Sequence, residues 1–298
     1  MVLEQVHSFV SSLREKYVFS EVFVTIVLKI YIIQKVGFIF AKSWVYSYNN
    51  RFKRMKSHLK VHYFQHIAGE GFGSCYELLK EYNAHITATE FFALPVDRPL
   101  DIEALPTVDE VDLLIIMGGT MSVNDEANYP WLKIEKRWLR RYLSQGKPAI
   151  GLCLGGQLIA NALGAGVSRN AYQELGWTTV RKVANVKEEC FKLPSEFNIL
   201  QWHSETFELP KGAVHLAENE ICRNQMYQLG KNVLGFQFHP EITPSTLDLF
   251  LEDGGELDKF SGPYVQTETE LRRSPKDKFY EGNQILNRAI EYVIEKTA

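Results

Sequence analysis

Residues 151–160 read GLCLGGQLIA. One cysteine, Cys153, stands among Gly151, Gly155 and Gly156, with an apolar, helix-like run behind it. A lone cysteine packs well as a small buried hydrophobe. The glycines point to a second use. A tight turn from strand to helix lifts its central side chain above the sheet edge, and side chains beside that position would clash. The pattern Gly151-x-Cys153-x-Gly155 is the thiol counterpart of the G-x-S-x-G nucleophile elbow. A helix starting near Gly155 aims its first amides at the sulfur and favours thiolate. The chemistry on offer is attack of a thiolate on an electrophilic carbon.

A thiolate nucleophile needs a proton shuttle and a group to orient it. Of eight histidines, His239 in GFQFHPEIT follows an apolar strand, so it falls at a strand end. Glu241 is two residues on, where an extended chain points side chains the same way. Its carboxylate can hold the imidazole from behind, as the third member of a triad does. Taken alone, the same residues would read as a surface His-Pro turn. A third stretch, MGGTMSVND at 117–125, places Gly118 and Gly119 at the end of a buried strand. Bare glycine backbone there offers N–H groups to a developing oxyanion, with the Leu154 amide as second donor. A phosphate-binding glycine turn or a plain loop fits that stretch equally well.

These residues need a scaffold that brings strand ends together. KVHYFQHI (60–67) and HITATEFF (85–92) read as strands around a helical GSCYELLKEY. VDLLIIMGG (111–119) is continuously apolar, as suits a strand buried on both faces of a parallel sheet. Residues 129–146 repeat apolar side chains at helical spacing and stop at a glycine. PAIGLCLG is the next strand and its turn, and GGQLIANALG a short helix. Beyond Trp177 the pattern is strand-rich: WTTVRKV, FNILQWHSETFEL, AVHLAEN, QMYQLG and NVLGFQFHPEI. Two helical segments follow, TPSTLDLFLEDGGELDKF and NQILNRAIEYVIEK, with RRSPKDK (272–278) between them as a solvated loop. Alternating strands and helices predict a layered α/β fold with a central, mostly parallel sheet flanked by helices.

The 298 residues carry a net charge of −3, unevenly spread. Residues 1–54 hold eight Lys/Arg and three Asp/Glu, so the remainder is acidic and has no basic surplus for a nucleic-acid backbone. The cysteines Cys75, Cys153, Cys190 and Cys222 form no CxxC pair. Neither a zinc site nor a disulfide framework is expected, and a reducing, cytoplasmic compartment is. Cys75, Cys190 and Cys222 read as packing residues, and Trp131 and Trp138 as core. Residues 22–40 are nearly all apolar and long enough for a span, yet contain Lys29, Gln34 and Lys35. Three readings stand for 1–54: sequence upstream of a true start at Met55, a membrane or partner anchor (not favoured), or part of the fold. The domain itself is expected over 55–298.

GLCLGGQ, the Gly-Gly strand end and FHPE, in this order, resemble the class I (triad-type) glutamine amidotransferases over roughly residues 60–250. The flavour of MGGTMSVND, QWHSETFELPKGA and FQFHPEIT is that of the stand-alone, GMP-synthase-like group. The resemblance implies a flavodoxin-like architecture and a triad of Cys153, His239 and Glu241. It implies an oxyanion hole from the Gly119 and Leu154 amides, and substrate contacts at Gly118, Gln157, His203, Ser204 and Glu205. Thr120 stands where a proline often follows the two glycines in relatives, which bears on how preformed the oxyanion strand is. Glutamine would be hydrolysed through a γ-glutamyl thioester to glutamate and ammonia, with no metal or cofactor.

No G-x-x-x-x-G-K-[ST] loop accompanies these motifs. Either a separate synthetase chain takes the ammonia or none does, and this chain alone is not expected to be GMP synthetase. Two other functions remain in view. One is a γ-glutamyl peptidase or hydrolase acting on a larger γ-glutamyl amide. The other is a regulatory or binding protein without turnover, against which the intact triad argues.

Overall fold

The computed structural model describes residues 59–94, 100–253, 257 and 260–295. The apolar stretch at 22–40, Met55 and the boundary expected at 54 lie outside them. Among the described residues, no helix is long and apolar enough to cross a membrane.

The described strands form one sheet. They are β1 (Lys60–Gln65), β2 (His85–Glu90), β3 (Leu113–Ile116), β4 (Ala149–Leu152), β5 (Val167–Lys182), β6 (Glu196–Phe207), β7 (Val214–Glu218), β8 (Met226–Leu229) and β9 (Val233–Phe236). Their order is β2-β1-β3-β4-β9-β8-β7-β5-β6. The pairings from β2 to β9 are parallel, and those from β9 to β6 antiparallel. The fold is α/β, with a parallel centre extended by antiparallel strands.

β3 explains how the centre is built. Its sequence LLII is buried throughout, and alternate residues serve opposite faces. Leu113 and Ile115 pack with Ile150, Leu152, Leu234 and Phe236 under helices α1 (Cys75–Glu81) and α6 (Lys276–Glu295). Leu114 and Ile116 pack on the other face under α2 (Trp131–Ser144) and α3 (Leu154–Ala162). Fully burying a side chain of this size is worth about 1.5–3 kcal/mol, so this four-residue strand anchors both layers. A smaller core of Leu175, Trp177, Leu200, Ile242, Leu247 and Leu271 lies under α4 (Pro244–Asp253) and α5 (Glu268–Arg272).

Helix α2 follows the expected stripe, burying Leu132, Glu135, Trp138, Leu139 and Tyr142, and the chain turns away at Gly146 with φ 69°. Two features depart from the sequence reading. β5 begins at Val167, ten residues before Trp177, because its polar stretch SRNAYQ is exposed or half-exposed and hides the strand period. RRSPKDK is solvated but only partly a loop: Arg272 ends α5 and Lys276 opens α6 directly after Pro275. Cys75, Cys190 and Cys222 are buried, as expected.

Candidate active site

The site lies at the carboxyl ends of the parallel strands, where the crevice of an open α/β sheet falls. β4 runs into Cys153, the residue before α3, with β3 and β9 as neighbours on either side. Cys153 has φ 49° and ψ −107°, a left-handed backbone that a side-chain-bearing residue adopts at a cost of about 1–3 kcal/mol. The strain is held in place from both sides. Its N–H continues the sheet ladder to the Phe236 carbonyl at 2.9 Å, and its carbonyl accepts the first helical bond from the Gln157 N–H at 3.1 Å. The glycines allow close approach. A methyl at Gly151 would collide with the Gly155 backbone, and one at Gly155 with the Ile116 carbonyl.

The sulfur sits in a polar cradle. The thiol donates to the Trp202 carbonyl at 3.7 Å, and Gln237 Nε2 donates to Sγ at 3.7 Å. His239 follows β9. Its backbone N–H is tied to the Leu200 carbonyl at 2.9 Å, and its Nδ1 bonds Glu241 Oε1 at 2.7 Å, with both residues buried. Its Nε2 has no hydrogen bond to another described residue, and the ring interacts with the Cys153 sulfur. Burial alone would push this imidazole down. The charges of Glu241 and Cys153, with the Glu241 hydrogen bond, outweigh it and hold the ring well above its usual value. Phe250 stands edge-on to both His239 and Trp202, walling this side. From α6, Asn283 Nδ2 donates to the carbonyls of Pro240 and Ile242, each at 2.9 Å, and so grips the turn that carries Glu241.

Gly118 and Gly119 follow β3 beside this pair. A Cβ on Gly118 would strike the Glu70 carboxylate and come within 3.2 Å of His239 Cε1, and one on Gly119 would meet Leu154 Cδ2 at 2.8 Å. Among the described residues, neither the Gly119 nor the Leu154 amide is taken by a protein acceptor. The Gly118 carbonyl, on the far edge of the same peptide, accepts from His66 Nδ1 at 2.8 Å, and His66 Nε2 bonds Glu135 Oε1 at 3.1 Å. His66 is pushed down by burial and raised further by Glu135, Gly118 and Glu70, so it too titrates above its usual value.

Gln157 is brought in from beneath: its amide donates to the Glu205 carbonyl at 3.1 Å and to Gln237 Oε1 at 3.2 Å, one link from the sulfur. His203, Ser204 and Glu205 lie within β6, in the strand read from FNILQWHSETFEL. His203 is buried, with Nδ1 on the Glu205 carbonyl at 3.0 Å and Nε2 3.1 Å from Glu174, while Ser204 and Glu205 are half-buried. Glu174, His203 and Cys222 bring ligand-type atoms within 4.8 Å of one another. That set is already occupied with protein partners. Glu174 accepts from Asn219 and Gln225, Cys222 contacts Thr206, and burial pushes the Cys222 thiol up to about 12, against metal ligation.

A model of the class-I glutamine amidotransferase family matches residues 72–254, more than half of the chain. The chain belongs to that family. Among curated relatives of this amidotransferase, the glutamine amidotransferase-like protein YfeJ of Salmonella typhimurium is 28% identical over 226 residues, spanning 72% of this chain and 90% of its own. A subunit of the glutamine-hydrolysing GMP synthase of Methanocaldococcus jannaschii is 33% identical over 150 residues, spanning 49% and 73%. Among solved structures, a glutamine amidotransferase from Thermotoga maritima superposes with TM-score 0.67 at 28% identity, covering 80% of this chain and 99% of its own. One from Methylobacillus flagellatus reaches 0.71 at 28% identity, covering 80% and 95%. The family is one of enzymes, and the amidotransferase fold read from the motifs is the one observed.

Sequence reasoning misses His66, Glu135, Gln237 and Asn283. Glu135 has a signal: a carboxylate on the apolar stripe of an amphipathic helix, where acidic residues almost never go unpaired. His66, at the end of the first parallel strand, is where such a partner would be sought.

Proposed function

We propose that this chain hydrolyses the side-chain amide of glutamine through a Cys153–His239–Glu241 triad and passes the ammonia to a separate synthetase. One observation carries the reading. A strained cysteine at the head of a helix faces an imidazole whose other nitrogen is held by a buried carboxylate at 2.7 Å. Proton uptake by His239 is favoured by Glu241, which leaves the sulfur as thiolate. The thiolate attacks the amide carbon, and the oxyanion is met by the Gly119 and Leu154 amides. His239 gives its proton to the departing ammonia, leaving a γ-glutamyl thioester. It then takes a proton from water, whose oxygen attacks the thioester and releases glutamate and the thiolate. Gly118, Gln157, His203, Ser204 and Glu205 would border the substrate. That the Methanocaldococcus relative is itself one subunit of a synthase supports a separate acceptor chain.

The test is intact-protein mass after incubation with a diazo-ketone analogue of glutamine, beside Cys153→Ala. The expected result is a single adduct mapped to Cys153 and absent from the variant, with equal release of glutamate and ammonia from glutamine. A released amine or peptide from γ-glutamyl amides, without ammonia from glutamine, would transfer the triad to a γ-glutamyl hydrolase. No adduct on the folded chain would count against both.

A further inference from the structure

The Gly118–Gly119 peptide has two edges. Its C=O edge, on Gly118, accepts from His66, and its N–H edge belongs to Gly119, whose Cβ position lies against Leu154 of the nucleophile turn. In a trans peptide these two groups point in opposite directions, so fixing one fixes the other. Between two glycines that plane turns over at little steric cost, because neither residue resists an unusual φ or ψ. Something other than the glycines must therefore set which edge faces the reaction.

His66 is placed to set it. Its Nδ1 faces a backbone carbonyl, which only accepts, so Nδ1 carries a hydrogen. Nε2 faces the Glu135 carboxylate at 3.1 Å, with both side chains fully buried. With Glu135 ionised, both ring nitrogens donate and the imidazole is a cation. The ring is stacked on Phe91 at 5.4 Å and 5°, and on Trp131 at 5.5 Å and 19°, faces that attract a cation and prevent the ring from rotating off its acceptors. The charged groups facing this ring are Glu135 from α2 and Glu70 from the loop after β1. A cationic donor on the Gly118 oxygen also draws electron density along the peptide and makes the Gly119 N–H a stronger donor.

We propose that His66, clamped between Glu135 and the Gly118 carbonyl, is the positioning residue that holds the Gly118–Gly119 peptide with its N–H toward the nucleophile. The proposal rests on the oxyanion role proposed for Gly119. His66 touches neither substrate nor sulfur. It acts through the peptide, and Glu135 acts through it.

Three forms of the full chain test this. The paired variant His66→Leu/Glu135→Leu removes the clamp without leaving a buried charge unpaired. The variant His66→Asn/Glu135→Leu restores one N–H near the position of Nδ1. Removing a direct oxyanion donor costs about 10²–10³-fold in kcat, and releasing its orientation should cost less, roughly 10- to 100-fold. For the leucine pair we expect that loss in kcat, KM for glutamine within about threefold, and an unchanged rate of Cys153 alkylation by iodoacetamide, which forms no oxyanion. The asparagine form should recover most of the kcat. The Gly118 carbonyl carbon resonance should move upfield in the leucine pair and return in the asparagine form.

Unchanged kcat in the leucine pair would overturn the proposal. So would equal losses in both variants, or a fall in alkylation parallel to kcat, since either describes general packing damage. A wild-type chain releasing no glutamate in a Cys153-dependent manner would count against the glutaminase reading instead. In that case the carbonyl resonance alone still decides whether the clamp exists.

Discussion

His239 and His66 are built from the same parts and end at different chemistry. Each is a buried imidazole bonded to a buried glutamate, and each is raised above its ordinary titration range by that glutamate against the opposing effect of burial. They part at the other nitrogen. His66 gives it to a backbone carbonyl, so both positions are spent. His239 turns it toward sulfur, and among the described residues no hydrogen bond closes it. A ring with both nitrogens engaged is a fixed charge. One with a nitrogen left open can lose and regain a proton during a reaction.

The strongest way to break the contrast is to neutralise the glutamate behind the open ring. Glu241→Gln should lower kcat by roughly 10²–10⁴-fold, because the amide no longer favours the imidazolium or the right tautomer. The folded His239 value lies above the unfolded one, so the stability it contributes is full below about pH 6.5 and is lost as pH rises through the raised value. Nitrogen-15 spectra of the His239 ring should show its proton leaving at lower pH in the variant than in the wild type. An unmoved titration would mean that Glu241 does not set the charge.

A third histidine sharpens the contrast from the opposite sign. His62 is buried between Thr87 and Thr89 hydroxyls at 2.8 and 2.9 Å, and burial lowers it to about 4. Its contribution is therefore full above about pH 6.5 and drains as pH falls toward 4, where the unfolded chain binds a proton that the folded one refuses. Between pH 7 and 4, wild type should lose about 2–3 kcal/mol more than His62→Gln in urea melts. Equal losses would show the ring to be solvated.

The smallest expected effect concerns the grip on Glu241. Asn283→Ala removes two bonds to the Pro240 and Ile242 carbonyls. It should cost about 1–3 kcal/mol in stability, with a severalfold fall in kcat and the alkylation of Cys153 unaltered. A loss as large as that of Glu241→Gln would mean that the turn, not the carboxylate, is what His239 depends on.

What is legible in the sequence follows the same division. Cys153, His239 and Glu241 can be read because each lies in a short pattern whose chemistry is local: glycines two apart around a cysteine, and a carboxylate two residues past a strand-end histidine. The parallel core is readable from runs such as LLII, whose composition states burial on both faces. His66 and Glu135 are not, because they stand 69 residues apart and only the sheet order brings them together. The first half of β5 escapes because the register shifts between Arg169 and Glu174, which breaks the alternation that marks a strand. The burial of His203 is not legible, because its partner, Glu174, lies on the adjacent strand.

The left-handed backbone of Cys153 has an evolutionary consequence. A side chain at that dihedral is maintained against a standing preference for glycine, and under the proposed mechanism turnover is what rewards keeping it. A lineage that no longer needs the reaction gains folding stability from Cys153→Gly while losing nothing it uses. Inactivation at this position is therefore downhill, and drift away from catalysis should begin at the elbow rather than at the histidine.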